Sequence, residues 1–224
     1  LVDFAVTYYE ILLKKYGKGR ERKTEIKQFD IIQAKAVAIA NIKLYANYAD
    51  GFIGTGLKKD ELITDVSELD DIIAFTKGGI MKVVKVADKV FIGKDILHVA
   101  VFLKTDDRTT YNLIYADGKT GVSYAKRFNV TGITRDKEYN LTKGTEKSKV
   151  HYFSANPNGE AEVVKVLLSP NCSARNKEFE FYFEVLEIKG RGSMGNQVTK
   201  YPIKSIKFKD AGRSTLDAKK FWFD

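Results

Sequence analysis

Residues 72–86 read IIAFTKGGIMKVVKV, two short runs of strand-forming residues joined by Gly78-Gly79. This arrangement predicts a β-hairpin, because glycine adopts the backbone conformations that a tight turn requires. The arrangement recurs at four further turns, Asp50-Gly51, Asp117-Gly118, Asn158-Gly159 and Gly192 to Gly195. Hairpins repeated at intervals of roughly 30 to 40 residues are typical of propellers and solenoids. The sequence therefore predicts an all-β array of repeated sheets.

A basic site follows each of these turns. The sites are Lys58, Lys85, Lys126-Arg127, Lys165 and Lys200. One positive charge at an equivalent place in each repeat predicts a row of cations that faces a long anionic partner. The whole chain of 224 residues has a formal charge of +9, from 38 Lys+Arg against 29 Asp+Glu. Such a surplus is typical of proteins that bind nucleic acid, anionic membranes or acidic partners, although it also serves solubility alone.

The composition excludes several classes of protein. With 44% hydrophobic residues the chain can bury a core, so it is not a disordered segment. Cys172 is the single cysteine, which rules out an intrachain disulfide and fits a reducing cytoplasm. No apolar stretch approaches about 18 uninterrupted residues, so no membrane span is expected. The first residues lack the positive region of a signal peptide. Since the chain begins within a helical pattern, we expect it to be a fragment of a longer protein.

The ends of the chain differ from its centre. Apolar residues at helical spacing predict an amphipathic helix over residues 2–16, which Gly17 and Gly19 stop. The densest basic run, residues 14–23, overlaps the end of this helix and is either a solvated linker or a functional basic segment. The tail ends in Phe221-Trp222-Phe223, which we expect to close the last sheet. The longest irregular piece, residues 131–149, is either an extra outer strand or a functional loop.

Residues 190–195, GRGSMG, have the spacing of a dinucleotide-binding fingerprint. That fingerprint requires a helix to begin at the glycines, whereas the next residues, NQVTKYP, are β-branched and contain proline. We therefore interpret the glycines as permitting a close approach to a phosphate backbone, with Lys189 and Arg191 supplying charge. His98 and His151 lie in apolar strands, and no zinc-ligand spacing or catalytic carboxylate pair is visible. The fragment alone is predicted to be non-catalytic, without a metal or a cofactor.

Four segments together resemble one protein family. They are LKKYGKGRERKTEI (13–26), GFIGTGL (51–57), KRFNVTGITR (126–135) and IKGRGSMGN (188–196). They resemble the C-terminal region of the A subunit of bacterial type IIA DNA topoisomerases, above all the topoisomerase IV-like members of the Bacteroides group. The similarity runs over essentially the whole chain. Residues 1–26 resemble the end of the preceding breakage–reunion domain, and residues 27–224 resemble the DNA-binding domain that follows it.

The resemblance implies a β-pinwheel, a propeller-like ring of four-stranded blades that exchange strands with their neighbours and bend DNA around a basic perimeter. Five hairpins imply about five blades, or six if residues 27–50 and the tail add another. Residues 188–195 resemble a degenerate copy of the arginine- and glycine-rich box of gyrases. It lacks the leading glutamine and one arginine and lies late in the chain, which favours relaxation and decatenation over negative supercoiling.

The resemblance also implies a holoenzyme. This holoenzyme would be an A2B2 assembly, a homodimer of A subunits with two ATPase B subunits. It would lie in the bacterial cytoplasm, associate with the nucleoid, and use ATP and Mg²⁺. The active-site tyrosine of the family lies upstream of this fragment, so no tyrosine here is assigned that role. The fragment is expected to present duplex DNA to the cleavage gate for strand passage.

The residues predicted to contact DNA follow from the repeated basic sites and from the resemblance. They are Lys58, Lys59, Lys85, Lys126, Arg127, Arg135, Lys165, Lys189, Gly190, Arg191, Gly192, Gly195 and Lys200. Six to eight phosphates contacted in this way predict a log–log salt slope of about −5 to −7 without base readout. Two other functions stay open: a structural or protein-interaction propeller whose lysines only keep it soluble, and an independent enzyme.

Overall fold

The structure, a computed structural model, describes residues 2–19, 40–104 and 106–216. The chain divides into two compact units, residues 1–37 and 38–224. The first contains helix α1, Val2–Tyr16, and the amide of Gly17 donates to the carbonyl of Leu13 at 2.8 Å just beyond its end. The predicted helix and its stop are therefore confirmed. The second half of the basic run, the predicted domain boundary at residues 26–27 and the aromatic tail lie outside the described residues.

The described part of the second unit contains sixteen β-strands and a short 3₁₀ turn, Phe183–Val185. The strands are β1 Ile42–Asn47, β2 Phe52–Gly54, β3 Glu61–Val66, β4 Asp71–Thr76, β5 Ile80–Lys85, β6 Val90–Phe91, β7 Ile96–Phe102, β8 Thr110–Ala116, β9 Ser123–Asn129, β10 Glu138–Asn140, β11 Lys149–Asn156, β12 Val163–Leu168, β13 Glu178–Tyr182, β14 Ile188–Gly190, β15 Asn196–Thr199 and β16 Ile203–Asp210.

These strands form four sheets. Their orders are β3-β1-β2-β6 in sheet 1, β10-β5-β4-β7 in sheet 2, β11-β8-β9-β14 in sheet 3, with β15 also on β9, and β13-β12-β16 in sheet 4. All described pairs are antiparallel except β14 with β9. In each sheet two consecutive strands pair with each other, and a later strand pairs with the first of them.

A strand exchange completes three of the sheets. The second hairpin strand of sheets 1, 2 and 3 pairs with a strand that the chain forms only after the hairpin of the next sheet. These exchanged strands are β6 on β2, β10 on β5, and β14 with β15 on β9. The expected all-β fold with strand exchange is confirmed; sheets 1 and 2 have the expected four strands, sheet 3 has five, and the described part of sheet 4 has three. Residues 131–149 do contain an extra strand, β10. In sheet 4, β13 has no exchanged partner among the described residues.

The core lies between consecutive sheets. Strand β4 is buried along its whole length because its side chains alternate between two neighbours. Ile72 and Ala74 pack in the cluster with sheet 1, whereas Ile73 and Phe75 pack in the cluster with sheet 3. A third cluster, with Ile114 of sheet 3 and residues of β12, joins sheets 3 and 4. Within the described ranges no cluster joins sheet 4 to sheet 1.

The described residues form four sheets, whereas the sequence predicted five blades, or six if residues 27–50 and the tail add another. Residues 27–39 and 217–224 lie outside the described residues. The turns at Gly51, Gly79 and Gly118 join hairpin strands as predicted. The turn at Asn158-Gly159 instead connects β11 of sheet 3 with β12 of sheet 4, and the turn from Gly192 to Gly195 connects β14 with β15. Glycine marks where a chain turns but not whether the flanking strands pair, so two of the five predicted hairpins are wrong.

Candidate nucleic-acid interface

Positive charge is concentrated on the segments that carry the exchanged strands. We call these segments, residues 85–94, 131–149 and 187–200, the exchange edge. They hold eleven Lys+Arg and five Asp+Glu. By contrast, residues 60–71, which include the strand β3 at the other edge of sheet 1, hold six Asp+Glu and no Lys or Arg. The two edges of sheet 1 therefore differ in the sign of their charge.

Aromatic rings support several cations of the exchange edge. Lys89 Nζ lies 4.2 Å from the ring centroid of Phe52, and Lys143 Nζ lies 4.8 Å from that of Tyr124. Such contacts contribute roughly 0.5–1 kcal/mol at exposed sites. They also restrict the position of the ammonium group at the surface. Lys89 and Lys143 are exposed, as is Lys137, whose Nζ lies 5.5 Å from the ring of Tyr139.

The segments of sheets 2 and 3 meet at Tyr139. The guanidinium carbon of Arg191 lies 4.2 Å from the Tyr139 ring centroid, which joins the loop after β14 to β10. The amide of Thr134 donates to the Tyr139 hydroxyl at 2.7 Å and, with the charges of Arg191 and Lys137, lowers the pKa of that phenol. Two of the three segments are thus in contact.

Five of the predicted lysines are exposed: Lys189, which is ion-paired, and four others. Lys58 and Lys59 lie between β2 and β3, Lys85 ends β5, and Lys200 follows β15. Lys85 and Lys200 belong to the exchange edge, whereas Lys58 and Lys59 do not. In the part of the chain that the structure describes, no carboxylate forms an ion pair with any of the four.

Three other predicted residues are held in ion pairs. Arg135 donates to both carboxylate oxygens of Asp71, at 2.8 and 3.2 Å, which raises the pKa of this guanidinium. Lys165 Nζ lies 2.5 Å from Glu178, and Lys189 Nζ lies 3.5 Å from Glu187. Lys165 belongs to sheet 4, which receives no exchanged strand among the described residues, so it is not part of the exchange edge that contains Arg135 and Lys189.

Lys126 and Arg127 are enclosed by protein, with exposed fractions of 3% and 1%. Lys126 Nζ donates to the carbonyl of Arg191 and, at 2.9 Å, to the carbonyl of Ser193. Burial lowers the pKa of Lys126 to about 8. Because neither side chain has surface to offer a phosphate, we place both outside the interface that the sequence assigned them to.

Arg127 holds sheets 3 and 4 together. Its guanidinium donates to Asn112 of β8 at 3.1 Å, to the carbonyl of Gly159 at 2.8 Å and to Thr215 at 3.0 Å. Burial lowers the pKa of Arg127, an effect that the nearby carboxylates of Glu162 and Glu184 oppose. A buried charge satisfied by this many acceptors fixes the relative position of the segments that supply them.

The glycines of the loop after β14 are of two kinds. Gly195 has a φ of +89°, and a Cβ there would lie 2.4 Å from the carbonyl oxygen of Ala125, so the fold itself requires glycine. At Gly190 and Gly192 a Cβ would meet nothing within 4 Å, and neither has a positive φ. Both are exposed. The next element is the strand β15, so the interpretation that these glycines are not a dinucleotide fingerprint is confirmed.

Lys89, Lys137 and Lys143 were not predicted from the sequence. The repeat places one cation after each glycine turn, on the second hairpin strand, whereas these three lysines are exposed on the segments that carry exchanged strands to the previous sheet. The signal available was the surplus of basic over acidic residues in the irregular segments 85–94 and 131–149.

Sites for other chemistry do not emerge from the described residues. No group of three or more His, Cys, Asp or Glu side chains within them could hold a metal ion. His98 packs against Phe75 and Phe153, and burial lowers the pKa of His98 and of His151. Among the described residues, no helix has both the length and the apolar composition needed to cross a bilayer.

Known proteins show where this chain belongs. A family described as the topoisomerase C-terminal domain of Bacteroidota matches residues 43–210. The A subunit of DNA topoisomerase 4 from Borreliella burgdorferi is 29% identical over 208 residues, which cover 92% of this chain and 31% of that protein. The chain thus spans about a third of this relative's length. A crystal structure of the C-terminal domain of DNA topoisomerase IV aligns over 83% of this chain and 65% of its own, with 10% identity and a TM-score of 0.45.

Proposed function

Because this chain belongs to the topoisomerase C-terminal domain family of Bacteroidota, we propose that it binds duplex DNA along the exchange edge and bends it. The contacts go to the phosphate backbone, so they position the duplex and read no sequence. The bound segment is presented to the cleavage gate of the parent enzyme for strand passage, in relaxation or decatenation.

The observation that carries this proposal is the charge of the exchange edge. Its cations lie in the segments that carry the exchanged strands of three successive sheets, and the Arg191–Tyr139 contact joins two of these segments. Bending about 20–30 bp of DNA costs of the order of 1–6 kcal/mol, so a bent duplex needs a long series of backbone contacts. A row of cations on successive sheets supplies contacts of this kind.

The parent enzyme enters as part of the proposal. We place the chain in an ATP-dependent type IIA topoisomerase that contains two A subunits, of which this chain is a part, and two ATPase B subunits, in the bacterial cytoplasm beside the nucleoid. ATP and Mg²⁺ belong to that assembly and not to this domain. The support for this placement is the family membership and the likeness to the Borreliella protein.

The test is a titration of the protein against fluorescently labelled random duplexes, followed by anisotropy. Binding should be indifferent to sequence, and log K should fall with log[salt] at a slope of about −5 to −7 between 50 and 200 mM. Incubation with relaxed plasmid and a nicking–closing enzyme should shift the linking number if the bound DNA is bent into a writhe of one sign. Absence of duplex binding at 50 mM salt would contradict the proposal.

A second function, a protein-interaction module, is favoured by one observation. Strand β16 of sheet 4, outside the exchange edge, exposes 57% of the Phe208 side chain beside Lys204 and Lys207. Exposed aromatic side chains are enriched at protein–protein interfaces, whereas a phenyl ring offers no donor to a phosphate. If this is the main function, substitution of Phe208 by Ser should weaken assembly of the parent enzyme, while duplex binding stays weak in every variant.

A further inference from the structure

Lys126 lies beneath the loop that follows β14 and holds its carbonyl groups. Strand β14 pairs with residues 127–129 of β9, and β15 pairs with residues 123–125 of the same strand. The chain between them, residues 191–195, returns over β9 on the side where Lys126 lies. No described carboxylate forms an ion pair with Lys126 Nζ, which donates instead to the carbonyls of Arg191 and Ser193.

A third carbonyl of the loop is held in the same way. The Tyr115 hydroxyl donates to the carbonyl of Met194 at 2.7 Å. The amide of Ser193 donates back to the carbonyl of Gly190 at 2.9 Å, which closes a turn at the tip. The carbonyl oxygens of residues 190, 191, 193 and 194 are thus all engaged within the protein.

The direction of the carbonyls fixes the direction of the amides. In a planar trans peptide the N–H points opposite to the C=O of the same peptide unit, and the described peptide bonds are trans. When Lys126 draws in the carbonyls of Arg191 and Ser193, the N–H groups of Gly192 and Met194 therefore point away from it. Gly192 is exposed, and so is 48% of Met194.

We propose that Lys126 is a positioning residue that turns the amides of Gly192 and Met194 outward to donate to phosphate oxygens of the DNA backbone. Backbone N–H groups are among the common donors to phosphate in protein–DNA interfaces. Lys189 and Arg191 flank these amides with positive charge. Gly190 and Gly192, where the fold does not require glycine, leave space for the phosphate to approach. This inference rests on the proposed DNA binding and adds the group that forms the contact.

The experiment uses the whole chain with a labelled random duplex. In the wild type, DNA should shift the backbone amide NMR signals of Gly192 and Met194. Lys126→Met should bind about tenfold more weakly with an unchanged salt slope, because a buried lysine neutralises no phosphate itself. A lysine that touched a phosphate would reduce the slope by about 0.9 on removal. The matched control is Lys104→Met, which removes an exposed lysine after β7, at the edge of sheet 2 opposite β10, and should bind like the wild type.

The outcomes separate this inference from the function on which it rests. If the wild type binds DNA but the two amide signals do not move, or if Lys126→Met binds like Lys104→Met, the positioning role is wrong and the DNA-binding function stands. If the wild type binds no duplex, both the positioning role of Lys126 and the DNA-binding function are wrong. If Lys126→Met does not fold, the shifts of the Gly192 and Met194 amide signals in the wild type decide whether these amides contact DNA.

Discussion

Lys126 and Arg127 are neighbours in one strand, and both are buried. Because side chains alternate in a strand, two adjacent cations cannot both lie on the same face. Arg127 points toward sheet 4, while Lys126 is covered by a loop that arrives 65 residues later in the chain. The sequence indicates the alternation but not the covering loop, so it assigned both residues to DNA. The sequence therefore predicts which residues of a strand share a face, but not which of them are buried.

The pH dependence of stability should reveal the buried ammonium of Lys126. Its pKa is lowered from 10.5 to about 8. Below pH 8 the folded and unfolded chains both carry the proton, and the folded chain bears the full cost of burying it. Between pH 8 and 10.5 the unfolded chain binds more protons, so stability rises with pH. Relative to Lys126→Met, the wild type should gain about 3 kcal/mol across this window.

Urea denaturation of both proteins at pH 7 and pH 10 measures this difference. The comparison with the variant cancels the contributions of tyrosines and other lysines that titrate in the same range. A stability gap that stays constant from pH 7 to pH 10 would show that Lys126 is solvated in the folded protein.

Arg127→Met should destabilise the fold by about 3 kcal/mol, because removing one member of a buried charged network leaves its partners unsatisfied. The carbonyl of Gly159 and the side chain of Asn112 would each lose a donor, and Glu162, 7% exposed, would lose a nearby positive charge. Urea denaturation measures the loss. The control is Arg175→Met at an exposed arginine of the loop before β13, which should change stability by less than about 0.5 kcal/mol.

At the scale of the element, hairpins were predictable and exchanged strands were not. The hairpin β4–β5 is local: two apolar runs and the glycine pair between them contain all that defines it. Strand β10 has only three residues, too few to show a period of two, and its partner β5 lies more than fifty residues earlier. Short strands that pair over such distances leave no local signal. The sequence therefore predicted only that residues 131–149 form either an extra outer strand or a functional loop.

The two kinds of glycine in the loop after β14 should respond differently to alanine. Gly195→Ala should destabilise the protein by about 1–3 kcal/mol, because it strains a positive φ and drives Cβ against the Ala125 carbonyl. Gly190→Ala should leave thermal stability unchanged, since its Cβ meets nothing within 4 Å. Thermal unfolding followed by circular dichroism compares them. Equal loss of stability in both variants would mean that the loop packs differently.

For the whole molecule, the structure places the exposed cations Lys89, Lys137 and Lys143 in the segments around the exchanged strands, whereas the sequence repeat predicted a row on the second strand of each hairpin. The row itself stays a prediction. The repeat in charge could be found from sequence because each exchanged segment is basic in composition. Its placement could not, since it depends on which sheet each segment joins. Lys165 shows the difference: it satisfies the sequence repeat, yet it lies in sheet 4 and pairs with Glu178.

Removing three cations of the exchange edge together should make the salt dependence of DNA binding shallower. With Lys89, Lys137 and Lys143 replaced by Ser, the log–log slope should decrease in magnitude by about 2 to 3, roughly 0.9 for each phosphate that is no longer neutralised. Anisotropy at four salt concentrations measures it. The matched control replaces Lys204, Lys207 and Arg175 by Ser, the same charge change on sheet 4 and the loop before β13. An equal effect of the two sets would show that the duplex does not follow the exchange edge.

Strand exchange also ties assembly to the order of translation. Sheet 2 receives β10 only after the ribosome has made the hairpin β8–β9, and sheet 3 receives β14 and β15 only after β12–β13. A nascent chain that has emerged as far as residue 137 therefore holds all four strands of sheet 1 but lacks one strand of sheet 2. Each sheet stays incomplete until its successor has begun, so newly synthesised molecules gain their sheets one after another from the N-terminal side.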